Sequence, residues 1–179
     1  TARVLDAAGI QTLVADGAGC CGALRSHLGD HAGGLDDMRR NVDAWWPLVA
    51  SNQIEEIVMN ASGCGVTVKE YGHALSADPA YAQRAQRISE LTRDLSELLP
   101  DIVAHLTPRM RSIKQHQLVL HPPCTLQHGM KLKGRVEEIL RAIGHELVPV
   151  ADAHLCCGSA GTYSILQPAV AGQLRDRKL

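Results

Sequence analysis

Two stretches of this chain are copies of one another, and both end in the same tripeptide. VLDAAGIQTLVADGAGCCG, from Val4 to Gly22, aligns with ILRAIGHELVPVADAHLCCG, from Ile139 to Gly158, across one single-residue gap. Each reads as the end of a helix, a glycine stop at Gly9 or Gly144, a strand, a short acidic loop and then Cys-Cys-Gly. A duplication of this kind constrains the fold to two similar units, each bringing a pair of adjacent cysteines to the turn after a strand. Cys124 precedes the second pair with 31 residues between it and Cys156, so its counterpart in the first copy would fall before Thr1. Cys64 follows the first pair, and its counterpart would fall beyond Leu179. The pattern predicts a chain that starts and stops inside two copies of one unit.

Short β-branched or Leu-rich runs at Gln11–Ala15, Glu56–Asn60, Gln117–His121 and Glu146–Val150 suit buried strands. Helical spacing occupies Leu35–Ala50, Val66–Leu75, Arg87–Leu106, Gly134–Ile143 and Pro168–Leu179. Strands alternating with helices predict an α/β fold, with short, mainly parallel sheets flanked by helices. Pro100 and Pro108 interrupt the stretch before it turns basic, which places a linker at residues 109–116. The expected organisation is therefore residues 1–108 as the closing portion of one unit and residues 117–179 as the opening portion of the next.

The chemistry rests on six cysteines: Cys20, Cys21, Cys64, Cys124, Cys156 and Cys157. Neighbouring cysteines make a poor disulfide, because closing the small ring between them strains the peptide. They make good ligands, since two thiolates at a strand-to-helix turn can point into one pocket, where sulfur selects iron–sulfur clusters, zinc or cuprous ions over hard cations. Gly22 and Gly158 suit such a turn by permitting positive φ and letting backbone N–H groups approach sulfur. Cys64 in NASGCG and Cys124 in HPPCTLQH each follow an expected strand, at the sheet edge where open α/β folds bind ligands. Cys64 alone reads equally as a ligand or as a small buried hydrophobe.

Other features are read more plainly. His121, His128 and His154 stand near cysteines and are expected to orient a site or cap a turn rather than to ligate. Trp45 and Trp46 on a long helix are core or interface residues, and GCGVTVKEYG lacks the Gly-Lys-Ser/Thr ending of a phosphate loop. There is no Cys-x-x-Cys, which disfavours a thiol–disulfide enzyme. A net charge of −1 and scattered Lys and Arg speak against a nucleic-acid partner. No apolar run reaches the length of a membrane span, and Thr1 opens into VLDAAGI without a charged leader, so a cytoplasmic setting with reduced thiols is expected.

With these residues in hand, the chain resembles the cysteine-rich CCG family, whose unit reads cysteine, spacer, Cys-Cys-Gly, spacer, Cys-x-x-Cys. Cys124 with Cys156, Cys157 and Gly158 matches the first half of a unit. Cys20, Cys21 and Gly22 with Cys64 match the second half of the preceding one, with Ala61 where the first cysteine of Cys-x-x-Cys would stand. DAWWP, ASGCGVTVKEYG, HPPCTLQH and HLCCGSAGTYS are similar to the glycolate oxidase iron–sulfur branch of that family, and the resemblance runs over nearly the whole chain.

The resemblance implies an iron–sulfur electron-transfer subunit of a flavin-dependent 2-hydroxy-acid oxidase. Its partners would be flavin-containing subunits and a quinone-type acceptor, with peripheral association at the inner face of the cell membrane. All six cysteines are implied ligands of a [4Fe–4S] cluster, cubane or non-cubane, with zinc as the alternative. The second unit is expected to be the better site, because Ala61 removes a ligand from the first. Taken alone the chain is expected to be inactive and either metal-free or holding adventitious zinc. The competing readings are a structural zinc module and a related subunit of the lactate-utilisation or heterodisulfide-reductase type.

Overall fold

The computed structural model describes residues 1–106 and 116–178. Helix α1 (Ala2–Ala7) stops before Gly9, and the chain then runs extended to the turn that carries Cys20 and Cys21. A short α2 (Ala23–His27) leads to the long α3 (His31–Ala50), which starts where the Asp30 carboxylate accepts the Gly33 N–H at 2.9 Å. Strand β1 (Ile57–Met59), helices α4 (Ser62–Lys69), α5 (Tyr71–Ala74) and α6 (Ala82–Leu91), strand β2 (Thr92–Asp94) and helix α7 (Leu95–Leu106) complete this half. The second half holds β3 (Gln117–Val119), a π-helical turn (Thr125–Gly129), α8 (Arg135–Ala142), β4 (Glu146–Val148), α9 (Tyr163–Leu166) and α10 (Pro168–Asp176).

The class is α/β as expected, with helices predominating around two separate two-stranded parallel sheets. Val58 of β1 pairs with Arg93 of β2, and Leu118 of β3 with Leu147 of β4. Val42, Val68, Tyr71, Leu75, Ala85 and Ile88 are buried together and form a continuous core in the first half. The second half buries less: Leu126, Met130, Ile139 and Ala171 are covered, while Val119 is 71% exposed.

Several expectations change. Gln11–Ala15 is not a strand: β1 pairs with β2, and no other extended segment of the described chain ladders on residues 11–15. Its counterpart Glu146–Val148 becomes a strand because β3 lies beside it. Without a ladder the segment leaves Val14 92% exposed and lines, opposite Ile54–Met59, a cleft of about 610 Å³. The expected helix Arg87–Leu106 is broken by β2, whose polar sequence is satisfied locally. Thr92 Oγ1 donates to the Ile88 carbonyl at 2.7 Å, and the Asp94 carboxylate accepts from Ser96 N and Oγ. Pro100 does not interrupt the chain, because α7 continues through it with Ile102 buried beyond. The helix expected from Val66 starts earlier, at Ser62, and divides into α4 and α5. Of the expected linker, 109–115 lies outside the described residues.

Both Cys-Cys-Gly turns pack in one way. Gly22 (φ 87°) lies against the carbonyl of Gly34 in α3, and Gly158 (φ 85°) lies against that of Ala171 in α10. A side chain at either glycine would collide with a helix backbone that cannot retreat. The two halves meet between α4 and the π-helical turn, where Ser62 Oγ and Thr125 Oγ1 are 2.7 Å apart and Gly129 lies under Val66. Gly22→Ala and Gly158→Ala should each destabilise by more than the roughly 1–2 kcal/mol of left-handed strain alone. Gly172→Ala, inside α10 with open space around it, should stabilise by about 0.5–1 kcal/mol. Urea midpoints of the three variants test the contrast.

Candidate metal centre

Cys20 and Cys21 occupy the turn before α2, and Cys64 occupies the first turn of α4, directly after β1. The fold brings these distant positions together. Cys21 is buried and hydrogen-bonded to Cys64, with Cys20 beside them, whereas Cys20 and Cys64 face solvent. Burial pushes the Cys21 thiol up to about 11; the Ala23 amide, hydrogen-bonded to it, opposes that rise, and the neighbouring Cys64 and Cys20 add to it.

Two buried side chains hold this turn by its backbone. Asn41 on α3 accepts the Gly19 N–H at 2.8 Å and donates to the Cys20 carbonyl at 2.8 Å and to Tyr71 Oη at 2.9 Å. Tyr71 on α5 donates onward to the Cys21 carbonyl at 3.0 Å. Burial, followed by the nearby thiols, pushes the Tyr71 phenol far above its ordinary range, so it remains a donor. Neither residue was legible as part of a site. The sequence signals are faint: one asparagine among the apolar positions Met38, Val42 and Trp45 of α3, and the place of Tyr71 near the end of the ASGCGVTVKEYG stretch.

The second set has the same plan in a looser setting. Cys124 caps the π-helical turn, whose widened bond runs from Met130 N–H to the Thr125 carbonyl at 2.8 Å. Cys156 and Cys157 lie in the loop after β4, with Gly158 N–H donating to Cys156 Sγ at 3.3 Å. The Cys124 thiol is raised, first by burial and then by the adjacent Cys156 and Cys157, and it is hydrogen-bonded to Cys156. His128 and His154 are exposed. His121 differs: both ring nitrogens are buried without a hydrogen-bond partner among the described residues, and burial, then the Lys178 charge, lowers its pKa, favouring the neutral ring.

All six cysteines are free. The donor chemistry fits a soft, thiophilic group, and an orphaned neutral imidazole three residues before Cys124 adds to that fit. Yet among the described residues no three His, Cys, Asp or Glu side chains stand in a ready-made metal-binding arrangement. Each set is gathered but not closed. Ala61, extended at the N-cap of α4, carries only a methyl group, with no donor atom to close the first. Two outcomes follow for the metal-free chain. Iodoacetamide at pH 8 should modify Cys20 and Cys64 well before Cys21, which should gain reactivity only as pH approaches its raised pKa; peptide mapping that finds Cys21 labelled first would contradict the burial argument. His121→Leu should raise stability by about 1–3 kcal/mol, read from thermal and urea unfolding, because it removes unpaired buried nitrogens.

Comparison with known proteins agrees with this arrangement. Residues 1–69 and 118–179 match the cysteine-rich domain family CCG. The glycolate oxidase iron-sulfur subunit of Escherichia coli K12 is 48% identical over 179 residues, covering 100% of this chain and 43% of that protein. The probable glycolate oxidase iron-sulfur subunit of Bacillus subtilis is 29% identical over 100% of this chain and 39% of its own length. Lactate utilization protein A of Bacillus velezensis is 25% identical over 100% of the chain and 72% of its own length. The chain thus spans less than half the length of the two glycolate oxidase relatives. Two matched segments, each containing a Cys-Cys-Gly turn packed on the second helix after it, α3 or α10, make this chain a member of the CCG cysteine-rich domain family.

Proposed function

We propose that this chain is the cluster-bearing part of an iron–sulfur subunit in a flavin-dependent glycolate or 2-hydroxy-acid oxidase, passing electrons from flavin-containing subunits toward a quinone-type acceptor. One observation carries the reading: the fold gathers two separate sets of three thiols, Cys20, Cys21 and Cys64 in one half and Cys124, Cys156 and Cys157 in the other. The 48% identity to a glycolate oxidase iron-sulfur subunit supports the choice of complex. Residues 1–108 then close one unit, and residues 117–179 open the next.

An iron–sulfur cluster, when bound, supplies a one-electron carrier whose potential depends on hydrogen bonds to sulfur and on exposure to solvent. The chain's own residues govern both. Ala23 N–H and Gly158 N–H offer hydrogen bonds to thiolate sulfur, one at each set. Cys21 is buried on the inner side of the first set, while Cys20 and Cys64 leave it open outward, and all three thiols of the second set are half-buried. No helix among the described residues is long and apolar enough to cross a membrane. The electron-transfer reading places the subunit in the cytoplasm, peripheral to the membrane that holds the acceptor. On this reading, activity belongs to the assembled complex.

A structural zinc site is the second reading. His121, three residues before Cys124 and without a hydrogen-bond partner among the described residues, favours it, since mixed sulfur and nitrogen donors suit tetrahedral zinc. The intact subunit, purified without oxygen, separates the two: thiolate-to-iron charge-transfer absorption with iron and sulfide supports electron transfer, and a colourless protein with stoichiometric zinc sinks it. Within the complex, Cys156→Ser or Cys157→Ser should abolish glycolate-dependent quinone reduction while the flavin still bleaches with substrate. Cys20→Ser and Cys21→Ser should cost less, because Ala61 already leaves the first set short of a ligand. Equal loss in all four variants, or greater loss in the first pair, would overturn that ranking.

A further inference from the structure

Asn41 and Tyr71 are each 0% exposed, although both are polar and neither sits on an element that carries a cysteine. Their hydrogen-bonding capacity is spent almost wholly on three consecutive residues of the first thiol turn. Both amide hydrogens of Asn41 are used, on the Cys20 carbonyl and Tyr71 Oη, and its oxygen takes the Gly19 N–H. The single phenolic hydrogen of Tyr71 goes to the Cys21 carbonyl. Arg40 adds a longer bond to the Cys20 carbonyl at 3.3 Å. Nothing comparable holds the second turn: among the described residues, no side chain donates to the carbonyl of Cys156 or Cys157.

The direction of these bonds matters. Every peptide bond here is trans, so a carbonyl pulled toward the core turns the N–H of the same peptide away from it. Holding the Cys20 and Cys21 carbonyls against Asn41 and Tyr71 therefore turns the amides of Cys21 and Gly22 outward. The next amide, at Ala23, is hydrogen-bonded to the Cys21 sulfur. Amides aimed at sulfur stabilise its negative charge, and around a redox group they raise the reduction potential.

We propose that Asn41 and Tyr71 are positioning residues that lock the Cys20–Cys21–Gly22 turn with its amides toward the thiols, and so tune the potential of the group held by Cys20, Cys21 and Cys64. The tuning half rests on the proposed metal-binding role; the lock does not. It also makes the two thiol sets unequal by construction, one pre-set by buried side chains and the other free to adjust.

Tyr71→Phe keeps the ring and its stacking on Trp45, at 6.3 Å between centroids, and removes only the hydroxyl. Asn41→Asp keeps the shape and removes the donating amide. In the metal-free chain, amide hydrogen exchange over residues 19–23, which include the Gly19 N–H held by Asn41, should accelerate at least tenfold in both variants while α3 and α6 keep their protection. In the anaerobically reconstituted intact subunit carrying Cys156→Ser and Cys157→Ser, the remaining centre in Tyr71→Phe should titrate at lower potential. A tenfold change in the one-electron equilibrium corresponds to about 59 mV. Unchanged exchange in folded variants overturns the lock, and accelerated exchange with an unchanged potential overturns the tuning. A first set that takes up no iron in the parent subunit overturns the metal reading, and the exchange measurement still decides the lock.

Discussion

The contact on which both halves depend is the seating of a side-chain-less turn on a helix backbone. Gly22 against Gly34 and Gly158 against Ala171 bring each Cys-Cys pair to the same place relative to the second helix after it. The approach is closer than any Cβ allows, so main-chain geometry seats each turn, and in the first set the buried Asn41 and Tyr71 then hold its carbonyls. Once the turn is seated, the cysteine from the neighbouring strand-to-helix junction needs only to arrive at the sheet edge. Cys64 does so from β1 into α4, and Cys124 from β3 into the π-helical turn.

Much of this was legible because it is local or repeated. The duplication, the glycine stops, three of the four expected strands and the α/β class all come from patterns within twenty or so residues, where propensity and spacing act directly. What failed was non-local. Residues 11–15 have the composition of a strand, but a strand also requires a neighbour, and composition does not reveal whether one is present. Thr92–Asp94 lies within a stretch of helical spacing and becomes a strand only because β1 is beside it and its polar side chains find bonds nearby.

The candidate site divides along the same line. The cysteines could be named from sequence by their chemistry, and their grouping into two sets of three followed the duplication. The side chains that hold the first turn could not be named, because Asn41 and Tyr71 are 30 residues apart and act through backbone carbonyls that carry no sequence signature. His121 was visible as a histidine near a cysteine, but its burial without a partner is a property of the packed structure alone. Buried polar groups are where sequence reasoning is weakest and where the structure adds most.

The way each thiol set is assembled has a mechanical consequence. Its members come from positions far apart in the chain, so whatever bridges them acts as a cross-link, closing a long loop and reducing the freedom of the unfolded state. The first half has a continuous buried core and holds together without such a staple. The second half, with its few covered apolar residues and a two-stranded sheet exposed at Val119 and Val148, has much less to fall back on. For that half, loss of the bridging group to oxidation would be a structural event before it was an electronic one, coupling the redox history of the protein to its lifetime.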